Sequence, residues 1–273
     1  MAISTGAVIL SPEYRLAPEY PYPAALEDCY DAVNYISDNA KALQINQIII
    51  TGDSAGGHLT ITTALKVVDT GRVKLNGILP VYPVTQMVTV DLPSYQRSDG
   101  ALLSRYHMAG FFSSYLGGNK DYIETVMSGN ITAQAIHAQP LIQNYLGDIE
   151  VNRKVIEEGK PPLHYTLSPL FAPDELLKKL PKTIIYVAEH DVLHDDGELF
   201  HKRYNLLFRT YFLKLFFRLV KLDTDSTLVE WTGAIHAQVA FSAQFAPAEL
   251  DPAATRQVGA YIKDLRRLIN KGE

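Results

Sequence analysis

Two patterns of apolar residues alternate along the chain: short apolar runs bounded by turn residues, and longer segments in which apolar residues recur with helical spacing. The first pattern is typical of strands buried on both faces of a parallel sheet, and the second is typical of helices that pack on such a sheet. The apolar runs predict five strands, at residues 6–11, 47–51, 75–83, 181–191 and 226–231.

The segments with helical spacing predict four long helices. These helices are expected over residues 20–40, 55–69, 197–217 and 251–270. Strands that alternate with long helices indicate an α/β fold, in which a mostly parallel sheet is flanked by helices on both faces. From about Met87 to Pro162 the apolar pattern is irregular, and helical pieces alternate with turns that contain Gly and Asn. We therefore expect one domain over residues 1–273 with an insertion at about 87–162.

Composition narrows the classes of partner and cofactor. The 273 residues are 47% hydrophobic, which is enough to build a substantial core. The formal net charge is −5, and no basic cluster is interleaved with aromatic residues, so we expect no nucleic-acid partner. The single cysteine, Cys29, has no partner for an intrachain disulfide or for a cysteine-based metal site. The pattern of the first residues leads us to expect neither a secretory signal nor a membrane anchor in this sequence.

One basic and aromatic segment, residues 205–221, leaves two interpretations open. Its cations interrupt it too often for a membrane-spanning helix. Lys214, Arg218 and Lys221 follow a spacing that places them on one helical stripe. The segment is either a helix packed on the sheet with solvated cations, or an amphipathic helix that makes a peripheral contact with a membrane or a protein partner.

The segment "ITGDSAGGHL", Ile50–Leu59, carries the first sign of chemistry. Ser54 has a glycine two positions away on each side, and it lies between a predicted strand and a predicted helix. This pattern is typical of a sharp strand-to-helix turn that exposes a nucleophilic hydroxyl. The residues expected to form this nucleophile turn are Gly52, Asp53, Gly56 and Gly57, and His58 is expected to support it.

Two further reactive residues follow predicted strands. Asp191 ends the strand at 181–191, and His236 comes after the strand at 226–231 and a short predicted turn, "TGAI". Parallel strands end at the same edge of a sheet, so these residues should meet Ser54 there. A serine hydroxyl needs a base, and the base needs a third group that fixes its tautomer. The chain order Ser, Asp, His fits this arrangement, with His236 as base and Asp191 as acid.

Other histidines and acids near Asp191 fit these roles less well. His190 and His194 flank the acid itself, and His201 lies on the following helix, so they are expected at the surface or in supporting positions. Asp195 and Asp196 are expected in the first turn of that helix, where a negative charge is favourable beside the helix dipole.

Several motifs together are similar to one known family. The segments "SPEYRLAPEYPYPAALED", "GDSAGG", "LSPLFA", "DVLHDDG" and "IHAQVAF" resemble the hormone-sensitive-lipase group of α/β-hydrolases, and within it the arylacetamide deacetylase branch. The resemblance runs from about Ala7 to the C-terminus. It implies a serine hydrolase that acts on small-molecule acyl esters or amides through an acyl-enzyme on Ser54, with His236 and Asp191, and with no metal or organic cofactor. It implies an endoplasmic-reticulum location.

The resemblance also implies that the insertion at 87–162 is a helical cap. An aromatic-rich stretch in it either walls an acyl pocket or forms ordinary core. The residues concerned are Tyr106, Met108, Phe111, Phe112 and Tyr115.

The chain departs from the family pattern in two places. The His-Gly-Gly-Gly loop that the family carries upstream of "YRLAPE" is missing, which leaves the N–H of Ala55 as the expected oxyanion donor. Losing one such donor costs about 3–4 kcal/mol of transition-state stabilisation. The family strands of that region are missing as well, so the sheet is expected to be incomplete on the N-terminal side. The strand at 7–10 must then either pair directly with the one at 47–51 or leave backbone groups unpaired, which is costly when they are buried.

The interval from Asp191 to His236 is also longer than the family's, and the excess coincides with residues 205–221. An incomplete gene model or a splice form would explain both departures. The alternative to an impaired esterase is a catalytically inactive relative that binds a ligand or a protein partner.

Overall fold

A computed structural model describes residues 5–100, 102–118, 120–129, 141, 163–214, 226–236 and 252–270. Only the backbone is described at 208–214 and 252–255. The strands are β1 (Ile49–Asp53), β2 (Gly77–Val81), β3 (Thr183–His190) and β4 (Ser226–Ile235). The helices are α1 (Ala24–Asp38), α2 (Ala55–Thr70), α3 (Pro93–Arg97), α4 (Arg105–Tyr115), α5 (Lys120–Met127), α6 (Asp174–Leu177), α7 (His194–Lys214) and α8 (Pro252–Asn270).

The four described strands form one sheet in the order β1-β2-β3-β4, and every neighbouring pair is parallel. Thr51 pairs with Leu79, Val81 with Tyr186, and Ala188 with Trp231. The carboxyl ends of the strands therefore lie along a single edge. The predicted α/β fold with a parallel sheet is confirmed.

Helices cover both faces of this sheet because side chains alternate between the faces along each strand. On β3, Ile185 and Val187 enter a large core with residues of α2 and α7, whereas Tyr186 packs on the other face against α8. The α2 and α7 side is represented by Ile61, Leu65, Leu199 and Phe200, and the α8 side by Tyr261, Leu265 and Leu268. Each face thus has its own apolar core.

The predicted strand at residues 6–11 is wrong. The segment has no strand conformation, and Val8, Ile9 and Leu10 are 79%, 51% and 51% exposed. The described sheet therefore has four strands instead of five, and β1 is paired with β2 and not with residues 7–10. An apolar run becomes a strand only where a neighbour takes up its backbone hydrogen bonds, and the local sequence does not specify that neighbour.

The predicted turn at "TGAI" is also wrong. These residues continue β4, and Ile235 pairs with His190 after a register shift between Ala188 and His190. Between these two pairs β4 advances by two more residues than β3, and the strand continues beyond this irregularity. As a result, His236 directly follows the last residue of β4.

The insertion at 87–162 is only partly described. Met108 and Phe112 of α4 and Val126 of α5 are buried in the large core. Most of residues 130–162 and the side chains of 208–225, which include the cationic stripe, lie outside the described residues. Where the chain is described, no helix combines the length and the apolar character needed to cross a membrane.

The loop that follows β2 is anchored from both neighbouring helices. His58 Nδ1 of α2 donates to the Val84 carbonyl over 3.1 Å. Asp196 of α7 accepts from the Thr85 N–H at 2.9 Å and from the Gln86 N–H at 3.2 Å. Burial lowers the pKa of His58 to about 4, and burial raises the pKa of Asp196 to about 7. Both groups are therefore held in environments that disfavour their charged forms.

The start of α2 offers a matched pair of glycine substitutions. A Cβ at Gly57 would lie 2.8 Å from the Val81 carbonyl oxygen and 3.1 Å from Pro83, whereas a Cβ at Gly56 would meet nothing within 4 Å. Gly57→Ala should lower the free energy of unfolding by about 1–3 kcal/mol through overpacking. Gly56→Ala should leave it unchanged or raise it by less than about 1 kcal/mol. Urea denaturation measures both, and equal effects would contradict this account of the α2–β2 contact.

His58 should make stability fall on acidification. The unfolded chain takes up a proton on this histidine near pH 6.5, but the folded protein does so only near pH 4, since burial lowers the pKa to about 4. The free energy of unfolding should therefore decrease as the pH falls from about 6.5 to about 4, by about 3 kcal/mol from this group. His58→Gln retains a donor for Val84 and removes this term.

The measurement is urea denaturation of the wild type and of His58→Gln between pH 4 and pH 7. The stability of the wild type relative to that of the variant should decrease as the pH falls. His190→Gln, which changes an exposed histidine, should follow the wild type. Parallel curves for the wild type and His58→Gln would refute the assigned cause.

Candidate active site

Ser54 is the single residue between β1 and α2, and its backbone is strained. Its φ is 54° and its ψ is −116°, a conformation that non-glycine residues rarely adopt. The turn is tight enough that a Cβ at Gly52 would lie 2.6 Å from the Gly56 carbonyl oxygen. The Ser54 N–H donates to the Val81 carbonyl at 2.9 Å, which fixes the turn to the end of β2. Any residue with a Cβ at position 52 would therefore clash with the Gly56 backbone, so only glycine fits there.

His236 bridges the other two predicted residues. Its Nε2 lies 2.9 Å from Ser54 Oγ, and its Nδ1 lies 2.7 Å from Asp191 Oδ2. Both His236 and Asp191 are buried. An ionised carboxylate only accepts hydrogen bonds, so Nδ1 carries the proton and Nε2 is left to accept from the serine hydroxyl. This is the tautomer that a general base for Ser54 needs.

The three side chains come from three strand ends of one sheet edge. Ser54 follows β1, Asp191 follows β3, and His236 follows β4. The second oxygen of Asp191 accepts from the Leu193 N–H at 2.9 Å, which orients the carboxylate toward the imidazole. The arrangement can remove a proton from Ser54 and stabilise the charge that then forms on His236.

Sequence reasoning missed Tyr82, which follows β2 between the other strand ends. Its ring is fully buried, and its centroid lies 4.8 Å from that of His236. Its hydroxyl donates to Asp53 at 3.4 Å. Burial raises the pKa of this phenol, so it remains neutral beside the imidazole. Its position directly after a strand of the same sheet was the signal that could have identified it.

The other histidines near Asp191 in the sequence are either exposed or have side chains that bond to residues other than Ser54 and Asp191. His190 is exposed. His194 Nδ1 lies 2.9 Å from Asp195, and this hydrogen bond raises the pKa of the imidazole. His201 Nδ1 lies 2.8 Å from the hydroxyl of Ser226, at the amino end of β4 and so away from the edge that carries His236.

Asp195 and Asp196 lie in the first turn of α7, as their position in the sequence predicted. Asp195 Oδ2 accepts from the Ser94 N–H at 2.8 Å, and Asp196 holds the loop after β2. They orient backbone that surrounds the site.

One group of potential metal ligands occurs among the described residues, at His194, Asp195 and Glu198. Their ligand atoms lie within 4.8 Å of one another. Asp195 already accepts from Ser94 and His194, and Glu198 forms an ion pair with Lys202 at 2.7 Å. These contacts satisfy the side chains without an ion.

Some side chains of the aromatic-rich stretch on α4 are buried in the core, and others are exposed to solvent. Met108 and Phe112 are buried in the large core, whereas Tyr106 and Phe111 are exposed. Tyr115 packs edge-on against the ring of His58, with 5.8 Å between centroids. Two of these five residues are thus ordinary core. Ala55 begins α2, in the first helical turn, where amides have no acceptor within the helix.

Curated relatives carry names of ester and amide hydrolases. The chain is 34% identical over 234 residues to "Neutral cholesterol ester hydrolase 1" of Mus musculus, with 74% of this chain and 56% of that protein covered. It is 30% identical over 219 residues to "Arylacetamide deacetylase" of Bos taurus, with 72% and 55% covered. The chain therefore spans about half the length of the curated relatives it matches. The resemblance stated from the motifs is confirmed.

Solved structures agree on the architecture. A hyperthermophilic esterase from Pyrobaculum calidifontis has a TM-score of 0.64 and 29% identity, with 97% of this chain and 68% of that one covered. Carboxyl esterase 2 from Tuber melanosporum has a TM-score of 0.66 at 20% identity, with 98% and 68% covered, and this likeness concerns the fold alone. The sequence profile of the alpha/beta hydrolase fold family matches residues 1–136 and 125–209. The chain belongs to the alpha/beta-hydrolase fold family.

Proposed function

We propose that this protein hydrolyses carboxylic esters through an acyl-enzyme on Ser54, with His236 as general base and Asp191 as the acid that orients it. The observation that carries the proposal is the imidazole of His236, which lies 2.9 Å from the serine hydroxyl and 2.7 Å from the carboxylate. A neutral serine is a weak nucleophile, and such a base makes attack feasible at neutral pH.

In the acylation step, Ser54 Oγ attacks the carbonyl carbon of the ester while its proton passes to His236 Nε2. The carbonyl π bond opens, and the negative charge moves to the former carbonyl oxygen. Asp191, through its bond to Nδ1, stabilises the imidazolium that forms. The intermediate then collapses, the bond to the alcohol breaks, and His236 Nε2 returns its proton to the departing oxygen.

Deacylation repeats the same steps with water. His236 removes a proton from a water molecule as its oxygen attacks the acyl carbon. The second intermediate collapses, the bond to Ser54 Oγ breaks, and the serine recovers its proton from Nε2. The products are an alcohol and a carboxylic acid.

The expected oxyanion donor is the backbone N–H of Ala55. It belongs to the first turn of α2, where free N–H groups and the helix dipole favour a developing negative charge. Ala55 is exposed, which makes it accessible to a substrate. Each donor of this kind contributes about 3–4 kcal/mol to transition-state stabilisation.

The substrate class follows from the chemistry and from the names of the relatives. An acyl-enzyme mechanism suits small-molecule acyl esters and amides, and the matched proteins are named for a cholesterol ester and for arylacetamides. We extend the proposal to one α/β domain over residues 1–273 with a cap at about 87–162. Within this proposed cap, the rings of Tyr106 and Phe111 on α4 are exposed to solvent.

A fluorophosphonate probe and a chromogenic ester test this proposal together. The wild type should be labelled at Ser54 and should hydrolyse p-nitrophenyl acetate and butyrate. Ser54→Ala should lose both reactions. His236→Ala should slow both by about a hundred- to ten-thousandfold, since it removes the general base.

The matched control is His190→Ala, which removes an exposed histidine next to Asp191 and should retain wild-type rates. Equal labelling of the wild type and His236→Ala would contradict the assigned base. Labelling and turnover that persist in Ser54→Ala would contradict the assigned nucleophile. A folded wild type that is neither labelled nor active would support the non-catalytic alternative.

A further inference from the structure

We propose that Tyr82 is a positioning residue whose aromatic face favours the protonated form of the His236 ring that arises when Ser54 attacks; this inference rests on the proposed function. No sequence motif drew attention to Tyr82, and the contact pattern around His236 carries the proposal. The imidazole nitrogens are taken by Ser54 and Asp191, and the Tyr82 ring covers part of its remaining surface.

The contact between the Tyr82 and His236 rings is close, and neighbouring side chains hold the Tyr82 ring in place. The ring centroids of Tyr82 and His236 are 4.8 Å apart, and the ring planes are inclined by 54°. On another side Tyr82 packs against Trp231, with 6.3 Å between centroids and 69° between planes. Tyr82 is fully buried, so water does not screen its interaction with the imidazole. The Tyr82 ring therefore has a fixed position relative to His236.

The charge distribution of an aromatic ring makes this contact depend on protonation. The face of a tyrosine ring is electron-rich and attracts a cation placed over it within about 6 Å of the ring centroid. The 4.8 Å between the Tyr82 and His236 centroids meets this distance. A neutral imidazole gains little from this attraction, whereas the imidazolium formed during attack gains more. The interaction is thus stronger in the transition state than in the free enzyme, which is the condition for accelerating a reaction.

The surrounding carboxylates also favour the protonated form of the His236 ring. The Asp191 carboxylate faces the imidazole from the end of β3, and the Asp53 carboxylate accepts from the Tyr82 hydroxyl at the end of β1. Burial, together with these two carboxylates, raises the pKa of the Tyr82 phenol. The ring stays uncharged, and its hydroxyl proton remains available to hold it in place.

The backbone at the end of β2, which holds the Tyr82 ring in place, is strained. Tyr82 has a φ of 33°, in the left-handed region that residues with a Cβ rarely occupy. Its N–H donates to the Tyr186 carbonyl at 2.7 Å, and the preceding carbonyl, that of Val81, accepts from Ser54. Strain of this kind persists where the neighbouring structure determines the conformation, and it is concentrated at functional sites.

Two substitutions separate the ring from the hydroxyl. Tyr82→Phe keeps the aromatic face and should change kcat for p-nitrophenyl acetate by less than about threefold. Tyr82→Leu removes the face and should lower kcat about tenfold with little change in KM, because it weakens an interaction of the imidazolium. The midpoint of the acid limb of kcat/KM should move down by about one pH unit in Tyr82→Leu and stay in place in Tyr82→Phe.

A third replacement, pentafluorophenylalanine at position 82, keeps the ring shape and reverses the charge on its face. It should lower kcat at least as much as Tyr82→Leu, and it remains informative if the leucine variant does not fold. Tyr186→Leu is the control for a buried tyrosine on the same sheet face, next to Trp231. It should lower stability and leave the acid limb in place.

A titration of the His236 ring by NMR, in protein with labelled histidine, gives the same comparison without turnover. Its midpoint should fall in Tyr82→Leu and in the fluorinated protein but not in Tyr82→Phe. If the midpoints move as stated in a protein without esterase activity, the ring interaction stands and the proposed function fails. Equal kcat and equal midpoints in Tyr82→Phe, the fluorinated protein and Tyr82→Leu would overturn the inference.

Discussion

The hydrogen bond between His236 and Asp191 is the interaction on which the site depends. It joins side chains 45 positions apart in the sequence, and both are buried. Because the carboxylate only accepts, the bond decides which imidazole nitrogen carries the proton and leaves the other to face Ser54. Removing one partner of such a pair costs about 3–5 kcal/mol when it leaves a buried charge without compensation. Sheet register and loop anchors matter functionally because they keep this bond formed.

The end of β2 connects that bond to Ser54. The Val81 carbonyl accepts from the Ser54 N–H, and the next residue, Tyr82, packs its ring on His236. His58 of α2 and Asp196 of α7 then hold the following loop. The two anchors respond oppositely to pH: acidification destabilises the protein through His58, with a pKa lowered to about 4, and stabilises it through Asp196, with a pKa raised to about 7. Partial cancellation of these terms makes stability less dependent on pH than either group alone would.

The parts predicted from the sequence were those that local pattern determines. The glycine spacing around Ser54 reflects a steric requirement within five residues, so it was readable without a structure. The exposed run at Val8–Leu10 and the continuation of β4 to Ile235 depend on neighbours elsewhere in the chain, and both predictions failed there. Tyr82 was missed for the same reason, since its contact with the His236 ring joins strand ends that are far apart in the sequence.

Asp191, Asp195 and Asp196 lie within six positions of one another but have different partners, because the local backbone geometry directs their side chains differently. Asp191 lies at the strand end, before α7 begins, so its side chain faces the sheet edge and reaches His236. Asp195 and Asp196 lie on the helix, where successive side chains turn by about 100°. That rotation sends Asp195 to the Ser94 N–H of α3 and Asp196 to the Thr85 N–H, away from the imidazole. The three side chains are chemically the same, so the position of Asp191 at the strand-to-helix junction is what makes it the partner of His236.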